Sequence, residues 1–211
     1  ATGYGVAVTV REAAKKMGMD ITHAKIAVQG FGNVGAYTVK NIQKLGGTVV
    51  AVAEWAKEVG PYAIYKEDGL DFQAMWDYRA EKGNLVDFPG SKMISMDEFW
   101  SAQVDVVVPA ALENSIDAAV AEKIQAKLVC EAANGPTTPE GDEVLNRKGI
   151  ILTPDILTNA GGVTVSYFEW VQNLYGYYWS EAEVEAKEDE AMVKAFEALW
   201  AIKEEYGVTV R

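Results

Sequence analysis

The sequence holds one cysteine, Cys130, and one histidine, His23. A single thiol cannot build an internal disulfide framework, and one cysteine with one histidine cannot close a Cys/His zinc site. No metal is expected. A Ser-His-Asp arrangement would have to use His23, which precedes the first strand, at the end of a sheet away from ligands; it reads as a surface residue. Cys130 ends an inner strand and reads as a small buried hydrophobe. Positive charge is scarce: 19 Lys and Arg face 31 Asp and Glu, a net charge of −12. That balance argues against nucleic acid and anionic membranes as partners. No apolar run approaches the roughly 18 residues of a membrane span, and no signal peptide is visible, so a cytoplasmic protein is expected. Low-complexity and linker-like stretches are also missing. What remains is a globular composition, 49% hydrophobic and 24% charged over 211 residues, the size of one domain.

Apolar runs alternate with helical patterns, the sign of βαβ units and a mostly parallel sheet. Helical spacing marks residues 5–17. Strands are expected at 25–29, 48–53, 105–108, 127–130 and 150–152, and a short extra one at 62–65 after a loop over 55–61. Helices are expected at 33–45, 71–81, 115–125, 139–148, 160–175 and 181–205, with a helical turn at 97–100. Thr138 followed by Pro139 reads as an N-cap with proline at the first helical position. The last helix carries nine acids and three lysines. It reads as a solvated face over an apolar stripe of Val184, Met192, Ala195, Leu199 and Ile202. The expected class is α/β, a Rossmann-like doubly wound sheet with flanking helices, in one domain over 1–211.

Directly after the first strand stands Gly30-Phe31-Gly32-Asn33-Val34-Gly35, a G-x-G-x-x-G turn leading into a helix. The first glycine permits the tight turn, the second lets the backbone approach a pyrophosphate, and the third lets helix and strand pack closely. The helix N-terminus supplies free N–H groups and partial positive charge to the phosphates. With both flanking elements legible, the motif predicts dinucleotide binding. Glu54 closes the second strand 19 residues after Gly35, where an acid accepts hydrogen bonds from the adenosine ribose and repels a 2′-phosphate. NAD is therefore expected over NADP; no arginine follows within several residues, and only Lys57 is near. Trp55, next in the chain, is counted with the cofactor contacts.

Three more segments fall where strands end: Pro109-Ala110-Ala111, Ala133-Asn134-Gly135-Pro136, and Thr158-Asn159-Ala160-Gly161-Gly162. Their small residues leave room for a ring, and Asn134 and Asn159 have the chemistry to bond a carboxamide or ribose. The same residues also simply make turns, and composition does not separate the two roles. The aromatics Tyr167, Phe168, Trp170, Tyr175, Tyr177, Tyr178 and Trp179 read as core or interface packing.

The segments ATGYGV from Ala1, VQGFGNVG from Val28, VPAALEN from Val108, EAANGPTTPEGD from Glu131, LTNAGGVTVSYFEWVQN from Leu157 and GYYW from Gly176 resemble the glutamate dehydrogenases, over nearly the whole chain. The resemblance implies reversible oxidative deamination of L-glutamate to 2-oxoglutarate and ammonia, with hydride transfer to NAD. It implies a homo-oligomer, usually a hexamer. It also implies that the N-terminal substrate domain, with its catalytic lysine and aspartate, and a C-terminal return segment are absent, so no catalytic residue is expected here. By the same resemblance Thr2 and Asn159 would flank the nicotinamide, and Asn134 and the Pro109-Ala110-Ala111 backbone would line its pocket. Val163 and Ser166 would face the substrate, Ser166 helping to bind the side-chain carboxylate of glutamate. A non-enzymatic NAD-sensing module, a branched-chain amino-acid dehydrogenase and a nucleoside-binding transferase are the competing readings.

Overall fold

The computed structural model describes all residues, Ala1–Arg211. Its strands are β1 (Lys25–Gln29), β2 (Thr48–Ala56), β3 (Gly60–Tyr65), β4 (Lys92–Ile94), β5 (Val106–Pro109), β6 (Leu128–Cys130) and β7 (Ile151–Thr153). Its helices are α1 (Thr2–Lys16), α2 (Asn33–Lys44), α3 (Phe72–Lys82), α4 (Met96–Trp100), α5 (Ala118–Lys123), α6 (Pro139–Arg147), α7 (Asp155–Thr158), α8 (Gly161–Tyr175) and α9 (Glu181–Tyr206).

The strands form one seven-stranded sheet in the order β4-β3-β2-β1-β5-β6-β7. The stretch β2-β1-β5-β6-β7 is parallel, while β3 and β4 add an antiparallel edge. The sheet is covered on both faces, which is why its parallel strands read as unbroken apolar runs. Alternate side chains feed opposite cores. Ile26, Val28, Val106, Val108, Leu128 and Cys130 enter a cluster shared with α1, α2 and α9. Ala27, Val107 and Val129 point the other way, into a cluster with α5 and α6. Each Val or Ile so buried contributes roughly 1.5–3 kcal/mol over leaving it in water.

The structure departs from the sequence expectations at several places, among them the start of α1 at Thr2 instead of residue 5. The expected 55–61 loop shrinks to a turn at 57–59: β2 continues to Ala56 and β3 starts at Gly60, paired through Glu54↔Tyr62 and Trp55↔Pro61. Edge strand β4 and the four-residue α7 were not foreseen. α5 begins at Ala118, not 115, because Ile116 bridges to Thr137 in extended conformation. The buried stripe of α9 is Glu188, Met192, Phe196 and Trp200, a strict i, i+4 row; Ala195 and Ile202 are exposed. The N-cap at Thr138 stands, its side chain accepting from Gly141 N–H at 3.1 Å, with Pro139 opening the helix.

α1 is held against α9 by charge. The Arg11 guanidinium grips Asp189 at 2.8 and 3.1 Å, and the Tyr4 hydroxyl donates to the same carboxylate at 3.2 Å. The Asp189 carboxyl lies below its usual range because of that arginine, and burial first, then Asp189, pushes the Tyr4 phenol up to about 12.

Candidate functional site

The sheet order reverses at β1, with β2 on one side and β5 on the other, and in such sheets the crevice beyond the carboxyl ends at that point holds the ligand. The first strand ends in the glycine turn. Gly30 has φ +95°, and a Cβ there would stand 3.0 Å from Ala110 O, so only glycine joins β1 to α2 beside β5. At Gly35 a Cβ would fall 1.9 Å from Gly30 O; helix and turn touch backbone to backbone. At Gly32 a Cβ would meet nothing within 4 Å. That glycine guards no contact of the chain itself, and the open space over it, at the N-cap of α2, suits a phosphate bound by helix N–H groups.

Two cavities flank this turn. One, about 630 Å³, is lined by Thr2, Val34, Ala110, Ala111, Asn134, Asn159 and Val163, with Leu112, Glu113, Ala132, Ala133 and Gly162. The other, about 570 Å³, lies between Gly30, Glu54, Trp55, Pro61 and Met96. Ala111 and Leu112 wall both. An elongated ligand can therefore lie across the glycine turn with one end in each cavity. Asn134 and Asn159 meet in the first: Asn159 Nδ2 donates to Asn134 Oδ1 at 2.7 Å and to Ala132 O at 3.3 Å. In the second, Glu54 accepts from Phe31 N–H, and its other oxygen lies 3.7 Å from Arg79 Nη2.

Some residues sit differently from expectation. The Phe31 side chain is fully buried and packs on Phe72 at 6.3 Å between centroids, so its ring is closed to a ligand. Pro109 is buried in β5 and its carbonyl already accepts from Ala132 and Ala133 N–H, at 3.0 and 2.9 Å. Asn33 is exposed at the helix start and borders neither cavity. Ser166 is exposed one turn beyond Val163, outside both cavities, and donates to Gly162 O at 3.0 Å. Arg79 was missed because it lies 25 residues past Glu54 on α3, with no local signal at Glu54. Met96, which opens α4, and Leu112, in the stretch between β5 and α5, were also missed; both are apolar residues without a motif. His23 is exposed and paired with Asp20 at 3.1 Å, remote from the crevice. Burial pushes the Cys130 thiol up to about 12, so it is inert at neutral pH.

A family model described as Glutamate/Leucine/Phenylalanine/Valine dehydrogenase matches residues 1–211. The chain is 74% identical over 211 residues to the NAD-specific glutamate dehydrogenase of Clostridioides difficile, covering 100% of this chain and 50% of that protein. It is 59% identical to the NAD-specific glutamate dehydrogenase of Peptoniphilus asaccharolyticus, with the same coverage of 100% and 50%. The crystal structure of the Peptoniphilus asaccharolyticus glutamate dehydrogenase aligns over 100% of this chain and 48% of its own, with TM-score 0.87 and 55% identity. The hetero-hexameric glutamate dehydrogenase of Thermus thermophilus, in its Leu-bound form, aligns over 100% and 49% with TM-score 0.90 and 32% identity. The chain thus spans about half the length of the curated relatives it matches. By its sequence from end to end and by the architecture around its glycine turn, this chain belongs to the glutamate, leucine, phenylalanine and valine dehydrogenase family.

Proposed function

We propose that the chain is the NAD-binding part of a glutamate dehydrogenase, which interconverts L-glutamate with 2-oxoglutarate and ammonia. The observation that carries this reading is the pair of cavities astride the Gly30–Gly35 turn, with Glu54 in one and Asn134 and Asn159 in the other. The 74% identity to an NAD-specific glutamate dehydrogenase supports both substrate and cofactor.

The bound nicotinamide would accept a hydride from the α-carbon of the amino acid; the chain supplies orientation and electrostatics. Gly32 and the first turn of α2 bind the pyrophosphate. Glu54 takes the adenosine ribose hydroxyls and disfavours a 2′-phosphate. Thr2, Asn134 and Asn159 orient the nicotinamide ring and its amide, and the small Ala110 and Ala111 leave room for the ring. Val163, 70% exposed at the rim of the larger cavity, meets the substrate. Ser166, one turn further along α8, turns toward the glutamate carboxylate once the rest of the enzyme closes over the crevice.

The general acid and base lie in the half of the enzyme outside this chain. A row of exposed aromatics on and after α8, Tyr167, Trp170, Tyr175, Tyr177 and Tyr178, supports an interface there with that half. No helix is long and apolar enough to cross a membrane. We assign the enzyme to the cytoplasm and to the homo-hexamers usual in the family.

The test is a pair of assays on the chain. NADH fluorescence should rise and shift to the blue on titration with the chain, while NAD and L-glutamate together yield no NADH. Glutamate-dependent NAD reduction by the pure chain would refute the division of labour, and unaltered NADH fluorescence would refute the cofactor site.

A further inference from the structure

Asn134 sits on an irregular segment between β6 and α6, beside Gly135, whose φ is +53°. At Gly135 and Pro136 the backbone bonds come from one side: Asn114 N–H donates to Gly135 O at 2.8 Å and Ile116 N–H to Pro136 O at 2.9 Å. On the other side two side chains hold it: Asn159, through Asn134 Oδ1 and Ala132 O, and Asp155, through the backbone of Gly135. Asp155, the first residue of α7, accepts from Gly135 N–H through Oδ2 at 2.8 Å and from Ile156 N–H through Oδ1 at 2.7 Å.

Asp155 is itself fixed from behind. Its own N–H donates to Glu131 Oε2 at 3.0 Å, and Glu131 is wholly buried at the end of β6, its other oxygen held by Arg211 Nη1 at 2.7 Å. The carbonyl of Asp155 accepts from Asn159 N–H at 3.0 Å. One residue therefore reaches both asparagines of the larger cavity: Asn159 through its backbone, and Asn134 through Gly135. Neither Asp155 nor Glu131 lines the cavity. A carboxylate suits the post, because it accepts two N–H bonds at once and charge strengthens each.

We infer that Asp155, braced by Glu131, is a positioning residue that fixes Asn134 and Asn159 for the nicotinamide end of the dinucleotide while leaving the adenosine end untouched. The inference rests on the NAD reading above. Its consequence is a split between two ligands: NADH uses both cavities, whereas ADP-ribose lacks the nicotinamide and uses chiefly the one beside Glu54.

The test titrates the chain, its D155A variant and its D155N variant with NADH and with ADP-ribose. The unaltered chain should bind both. Losing a charge-assisted bond to Gly135 N–H should weaken NADH binding by D155A about tenfold, with ADP-ribose binding unchanged. D155N keeps an acceptor oxygen for Gly135 and should recover most of the loss. Equal weakening of both ligands in both variants would mean that Asp155 only supports the fold, and no weakening of either would mean that the segment needs no anchor; both overturn the inference. Failure of the unaltered chain to bind either ligand would overturn the NAD reading itself, and the role of Asp155 with it.

Discussion

Arg79 on α3 reaches over the glycine turn to Glu54 at the end of β2: its Nη1 donates to Phe31 O at 2.9 Å and its Nη2 stands 3.7 Å from Glu54 Oε2. A carboxylate and a guanidinium thus share the place where a dinucleotide's adenosine ribose would rest. The first repels a 2′-phosphate and the second attracts it.

The expected consequence is that Arg79 moderates the preference for NAD. The pair is partly exposed, so the contribution is of the order of a surface ion contact, up to about 1 kcal/mol. R79A should weaken NADPH binding about two- to fivefold while changing NADH binding less, and E54Q should strengthen NADPH binding. Parallel titrations of both variants with both cofactors check this, and equal changes for the two cofactors would count against it.

Two glycines of the same turn should respond in opposite ways to an added methyl. G35A drives a Cβ to 1.9 Å from Gly30 O, and backbone on both sides leaves no room to yield. It should unfold the turn and lower thermal stability by several degrees or more. G32A places its Cβ in open space. As an N-cap change it should cost under about 1 kcal/mol of stability, yet abolish NADH binding because the methyl occupies the phosphate's approach. Melting curves and NADH titrations on the two variants separate the effects; a G32A chain that binds NADH normally would remove the pyrophosphate from this turn.

Glu188 predicts a pH dependence of stability. Its carboxyl is buried where Gly5 of α1 meets Gly161 of α8, and Oε1 has no hydrogen-bond partner. Burial pushes it up to about 7, with Glu185 and Asp189 acting the same way. The folded state therefore holds a proton that the unfolded chain releases near its ordinary value of 4.5. The resulting stability is complete below that value and is lost as pH rises through about 7. E188Q, which cannot ionise, should melt at a temperature less dependent on pH between 5 and 8 than the unaltered chain. Identical slopes would show that Glu188 is already charged in the folded state.

What was legible in the sequence follows from which forces are local. The parallel strands announce themselves because burial on both faces demands unbroken apolar runs such as Ala27–Val28 and Val106–Val108. The glycine turn is legible because a tight turn and a backbone contact leave no alternative at Gly30 and Gly35. The rest depends on partners distant in the chain. Strand β4 is three residues at an edge, made a strand only by pairing with Ala63–Tyr65. Pro61, at the end of the segment read as a loop, fits in β3 because β4 pairs only from Ala63, so at Pro61 the outer edge of β3 is free and no N–H is missed. The α9 stripe was misplaced because its buried row includes the charged Glu188, which a hydrophobic pattern excludes. Phe31 was counted among cofactor contacts as part of the motif, whereas its ring belongs to the core. Arg79, Asp155 and Glu131 reach the site through tertiary structure alone, and no spacing in the sequence announces them.

In the proposed function the chain is a dinucleotide site with Glu54 as its selector. Calorimetric titration of the chain with NADH, and separately with NADPH, at neutral pH decides it. Saturable binding of NADH and markedly weaker binding of NADPH are expected. Equal binding of the two would leave the cavities as a dinucleotide site but strip Glu54 of its role, and absence of binding to either would contradict the claim outright.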